Sequence, residues 1–145
     1  MLKGISSLIS PELLKILMEM GHGDEIVIAD GNFPSVTYAQ RLIRSDGHSI
    51  PPLVDVILEL FPLDDYVACP VALMSVAPDD STPTPPIWQV YKNLLGMHKH
   101  TEEKIEYMDR FAFYERAKNA FAVVATGESA IYANILLKKG VVKEN

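Results

Sequence analysis

The chain has 145 residues, of which 48% are hydrophobic and 22% charged, and its formal net charge is −6. That composition excludes a disordered chain. Its only short basic clusters, Lys138-Lys139 and His98-Lys99-His100, make a nucleic-acid partner unexpected. The apolar runs are too short to span a membrane. The opening Met1-Leu2-Lys3-Gly4 has no basic segment leading into a long apolar core, so no secretory signal is expected. The single cysteine lies in the apolar setting Val67-Ala68-Cys69-Pro70 and reads as a buried, reduced thiol of a cytoplasmic protein. One domain over residues 1–145 is expected.

Ser10 is a good helix cap and Pro11 suits a first helical position, with Leu13, Leu14, Leu17 and Met20 at helical spacing and Gly21 as the stop. Glu25 to Asp30 has a continuous apolar centre, the pattern of a strand buried on both faces. Asp30-Gly31-Asn32-Phe33-Pro34 breaks it. Pro51 or Pro52 opens a second helix, with Leu53, Val56, Ile57 and Leu60 along one side, and Pro62 ends it. Val71 to Val76 reads as another buried strand, and Ala77 to Pro86, with four prolines and two aspartates, as a loop. A helix is predicted from Ile87 to about Leu95, and a short strand from Ile105 to Met108. Phe113 to Ala120 reads as a helix exposing Glu115, Arg116 and Lys118. Phe121 to Thr126 and Tyr132 to Leu137 complete the strands. Helices alternating with buried strands predict an α/β domain, a mainly parallel sheet flanked by helices. In such sheets ligands gather beyond the carboxyl ends of the strands, where Asp30 stands.

The usual nucleotide loops, Cys-x-x-Cys pairs and nucleophile elbows are missing. His98 and His100 are poorly spaced for a metal and read as a solvated loop, as does His48. His22, between Gly21 and Gly23, is the histidine best placed for chemistry, because the glycines let the chain turn sharply and leave the ring accessible. Imidazole gives and takes protons near neutral pH. Spacing alone favours a histidine serving the carbonyls of a helix end. Asp30 could bind a ligand or simply form a turn. Trp88 and Tyr91 share one helical face and read as core. Arg110 could make a surface ion pair. Tyr132 and Asn134, two apart on a strand, would face the same way, presenting a hydroxyl and an amide or closing a sheet edge.

Several segments resemble one family, the fucose mutarotases, which includes the ribose pyranases. They are Leu2-Lys3-Gly4-Ile5, Ser10 to Leu14, Met20 to Ile26, Ala29 to Pro34, Arg110 to Ala117, Thr126-Gly127-Glu128 and Tyr132 to Gly140. The resemblance is weakest from Ala77 to Lys104. It implies a compact α/β domain, a ring-shaped homo-oligomer (typically a decamer) with sites at subunit contacts, and no cofactor or metal. It implies His22 as proton donor and Asp30, Arg110, Tyr132, Ala133 and Asn134 as sugar-binding residues, with Tyr132 as partner acid–base group or hydroxyl orienter. The implied reaction is the exchange of L-fucose anomers by ring opening and closing. Pyranose–furanose exchange on ribose is the nearest rival, and the Arg110–Arg116 and Leu137–Gly140 segments favour the fucose branch. The same residues would also suit a non-catalytic sugar-binding protein or a purely structural oligomer.

Overall fold

The computed structural model describes residues 1–144. Its elements, in chain order, are α1 (Pro11–Glu19), β1 (Glu25–Ala29), α2 (Ser35–Tyr38), β2 (Leu42–Ser45), α3 (Ile50–Leu60), β3 (Val71–Met74), α4 (Pro86–Met97), β4 (Ile105–Met108), α5 (Arg110–Asn119), β5 (Ala122–Thr126) and β6 (Ile135–Lys138), with a 3-10 turn at Glu102–Lys104. The strands form one sheet in the order β2-β5-β1-β6-β3-β4. β2 with β5, β5 with β1, and β3 with β4 run parallel, while β6 is antiparallel to both of its neighbours. The sheet is therefore mainly parallel, with one reversed strand near its middle.

The continuous apolar runs have a simple cause. Successive strand residues point to opposite faces, and here both faces are covered. Ile26 and Ile28 of β1 join a core with Leu13 and Leu17 of α1, Leu53 and Ile57 of α3, and Tyr91 and Leu95 of α4. Val27 and Ala29 join a second core with Phe113 and Ala117 of α5. β6 divides in the same way, Ile135 and Leu137 to the first core and Leu136 to the second.

α1 begins as its sequence predicts, with the Ser10 hydroxyl accepting the Leu13 N–H at 3.1 Å. α5 begins earlier than predicted because the Asp109 carboxylate caps it, accepting the Ala112 N–H at 2.9 Å. α3 buries Leu53 and Ile57 as expected, but it adds Val54 and Leu58 and leaves Leu60 exposed. β3 ends at Met74, two residues early. β6 starts at Ile135, because Tyr132 takes a left-handed turn with φ 55° and cannot continue a strand. α2 and β2 are additions; β2 is an edge strand whose residues alternate in burial and gain their pairing only from β5.

Three environments differ from expectation. Arg116 is half-buried rather than exposed, because Glu25 of β1 and Glu106 of β4 both take its guanidinium. Cys69 is half-exposed, its thiol 3.6 Å from the Glu103 carbonyl. His98 closes α4 with Nε2 2.7 Å from Asp55 Oδ1.

Candidate functional site

The carboxyl end of β1 delivers Asp30, which is only 7% exposed. The Asp30 N–H donates to Asn134 Oδ1 at 2.8 Å, and the Asp30 carboxylate accepts the Asn32 N–H at 3.0 Å. Asp30 shapes its turn and also faces a hollow. Burial lifts its carboxyl above the ordinary carboxylate range, and the nearby Glu128 adds to the effect while backbone N–H groups oppose it.

Asp30 and Asn134 share a hollow of about 290 Å³ with Arg110 from the start of α5 and Tyr132 from the turn before β6. That volume is at the small end for small-molecule sites. These four residues bring a carboxylate, a guanidinium, a phenol and an amide. Phe33, Met74 and Ile131 supply apolar wall. Tyr132 and Asn134 thus meet in one place although Tyr132 stands in a left-handed turn and both precede the strand. Ala133 turns the other way, into the first core, and gives its carbonyl to the Tyr91 hydroxyl at 2.5 Å. Burial pushes the Tyr91 hydroxyl pKa upward, so it stays protonated as a donor. Trp88 Nε1 donates to the Tyr132 carbonyl at 2.9 Å. The two aromatics that read as core packing therefore also pin the backbone of the site.

His22 is elsewhere. It precedes β1 whereas Asp30 follows it, and a five-residue strand spans about 17 Å. Its ring is 47% exposed, with Nε2 3.1 Å from Asp64 Oδ1 and the Tyr66 ring 5.3 Å away. Asp64 is 3% exposed. Its carboxyl lies below the ordinary range, first because it accepts the Tyr66 N–H and then because of His22. An ionised carboxylate can only accept, so Nε2 carries a proton and Nδ1 is left free. Within one chain, then, Asp30, Arg110, Tyr132 and Asn134 come together and His22 does not. Among the described residues no group of three or more His, Cys, Asp or Glu side chains is placed to hold a metal ion, and no helix is long and apolar enough to cross a membrane.

A family model described as the RbsD / FucU transport protein family matches residues 3–142. The chain belongs to this family. The fucose mutarotase of Streptococcus pneumoniae, solved in complex with L-fucose, superposes with a TM-score of 0.94 at 54% identity, over 98% of this chain and 100% of that one. The human fucose mutarotase is 48% identical over 99% of this chain and 96% of its own length. Bacillus subtilis RbsD, solved with D-ribose, is a more distant member, with a TM-score of 0.75 and 26% identity over 99% of this chain and 100% of that one. Family membership agrees with the layered sheet described above.

Sequence reasoning missed three polar residues that line the hollow, Asn32, Tyr114 and Asp80. Tyr114 lies one helical turn beyond Arg110, and that i, i+4 spacing was a usable signal. Asp80 gave none, because it stands in a loop brought to the site by tertiary folding.

Proposed function

We propose that this chain is an L-fucose mutarotase, an isomerase that exchanges the α and β anomers by acid–base ring opening without a cofactor. The observation that carries this reading is the convergence of Asp30, Arg110, Tyr132 and Asn134 on one monosaccharide-sized hollow. The likeness to a mutarotase solved with L-fucose supports the choice of sugar. Asp30, Arg110 and Asn134 hold sugar hydroxyls, with the Tyr132–Asn134 backbone as a rim. A base takes the proton of the anomeric hydroxyl while His22, in its doubly protonated form with Nε2–H on Asp64, gives its Nδ1 proton to the ring oxygen as the bond from C1 to that oxygen breaks. The open aldehyde turns about one bond and recloses on its other face with the proton roles reversed. Placed acid and base groups each contribute roughly 10²–10⁴-fold, and no redox change occurs.

His22 reaches this chemistry from a second copy of the chain. Its exposed ring and its distance from the hollow of its own chain support a site shared between subunits. A closed ring of heterologous contacts, with ten copies as its size, meets that need, since each copy offers His22 at one end of β1 and a hollow at the other. The enzyme is proposed to work in the cytoplasm, as one domain spanning residues 1–145.

Saturation-transfer NMR tests the reading. The protein is expected to speed anomer exchange of L-fucose well above the uncatalysed rate, and to act less on D-ribose and D-galactose. Faster ring exchange on D-ribose would favour the pyranase reading, which the likeness to RbsD supports. Fucose binding without faster exchange would mark a sugar-binding protein.

A further inference from the structure

Tyr132 is held from both ends. Its left-handed backbone, φ 55°, is one that a tyrosine keeps only when its surroundings fix it. Trp88 holds its carbonyl. Its hydroxyl oxygen lies 2.5 Å from Asp80 Oδ2 and accepts the Ala77 N–H at 3.3 Å. Asp80 is pinned in turn, since its other carboxylate oxygen accepts the Thr82 N–H at 2.8 Å and the Thr82 hydroxyl at 2.5 Å. Asp80 lines the same hollow as Asp30 and Arg110.

A phenol has one proton, and an ionised carboxylate only accepts. The Tyr132 proton therefore lies on the line to Asp80, and what remains free on the phenol is lone pair. We propose that Asp80 is a positioning residue of the sugar site: by engaging the single proton of Tyr132, it makes that phenol meet the sugar as a hydrogen-bond acceptor. The proposal rests on the anomer exchange proposed above. It makes Tyr132 an orienter that receives a sugar O–H, and it leaves the acid role to His22.

The charged groups lining the two hollows that Tyr132 borders are Asp79 and Asp80 in the 77–86 loop, Asp30 beyond β1, and Asp109 and Arg110 at the start of α5. The bond to Asp80 is the main cause holding the Tyr132 hydroxyl pKa above its ordinary value. Thr82 and then Tyr132 hold Asp80 below its own. The two are pushed apart, so the proton stays on the phenol oxygen and is not passed to the carboxylate.

Asp80→Asn tests this with little change of shape in an exposed loop. With Thr82 keeping the oxygen, the new NH₂ group faces Tyr132 as a donor and turns the phenol proton toward the sugar. The KM for L-fucose is expected to rise roughly five- to tenfold, the worth of one hydrogen bond, with a smaller change in kcat. In a Tyr132→Phe background the same substitution should change KM less than about twofold. Tyrosine ¹³Cζ NMR, with the Tyr132 signal identified by its loss in Tyr132→Phe, should show Tyr132 starting to titrate at lower pH in Asp80→Asn than in the parent. An unmoved Tyr132 titration, or an equal KM increase in both backgrounds, would overturn the proposal. The titration needs no turnover, so it judges Asp80 even if the parent fails to exchange fucose, a result that would instead refute the proposed activity.

Discussion

Asp30 shows how a single side chain can serve a site at some cost to the fold. Its carboxyl is raised mainly by burial, so the folded state favours the protonated form. The sign follows from linkage: the favourable contribution of a raised acid is complete below the unfolded pKa and is lost as pH rises through the folded value. At neutral pH the buried charge therefore weighs against folding. Asp30→Asn keeps an oxygen for the Asn32 N–H and removes the charge beside Glu128. Its melting temperature is expected to exceed the parent's at pH 7, by roughly 2–4 °C for each kcal/mol relieved, and to converge with it under acid conditions. Fucose affinity should fall in the same variant. Thermal melts from pH 3 to 8 check this, and an Asp30→Asn protein that melts lower at pH 7 would contradict it. The place of Asp30 at a strand end was legible because the apolar run before it marks the strand, but a ligand role was not, since the same pattern also makes a turn. The glycine flanks marked His22 only as an accessible histidine; its candidacy came from family resemblance, and its separation from Asp30 was not readable, since residue types give no distances. Asp80 was silent, because its partner lies 52 positions away in sequence.

At the scale of elements, long buried strands and well-capped helices were readable, and short pieces fixed by neighbours were not. β1 and β5 announce themselves by unbroken apolar runs because two helical layers cover the sheet. β2 carries Arg44 on an edge and has no such run. The start of β6 was overextended because apolar and β-compatible residues around Tyr132 mask a left-handed turn that Trp88 and Asp80 hold in place. Arg116 was misread for a related reason: a charged residue on a helix reads as solvated unless its partners on other elements are known. Its guanidinium binds the Glu25 carboxylate at 3.0 Å through Nε and also pairs with Glu106, tying α5 to β1 and β4. Arg116→Ala leaves two carboxylates without their cation. A loss of about 1–3 kcal/mol in urea unfolding is expected, below the cost for a fully buried pair because Glu106 is partly solvated. Activity per folded molecule should be retained, since Arg116 is absent from the lining of the hollow. A parent-like urea midpoint would show that the pairs contribute nothing.

At the scale of the whole molecule, the topology separates what the chemistry must unite. The parallel strands send Asp30 and the loop before β6 to one end of the sheet and leave His22 and Asp64 at the other. A chain arranged in this way cannot bring its own His22 to its own hollow, so the proposed mechanism requires a second copy. The proposal of a shared site came from the sequence only through family resemblance, because nothing in hydrophobic pattern or spacing reports how copies pack. The most direct measurement is L-fucose anomer exchange by saturation-transfer NMR on His22→Ala, on Tyr132→Phe, and on the two chains unfolded together and reassembled in equal amounts. His22→Ala alone is expected to be slowed by roughly 10²-fold or more, and Tyr132→Phe alone by roughly five- to tenfold, the worth of its one hydrogen bond to the sugar. The mixture should recover about one quarter of the parent rate, because random assembly places an intact His22 opposite an intact Tyr132 at one site in four. Exchange that stays at the level of the separate variants, or His22→Ala working as fast as the parent, would contradict the account.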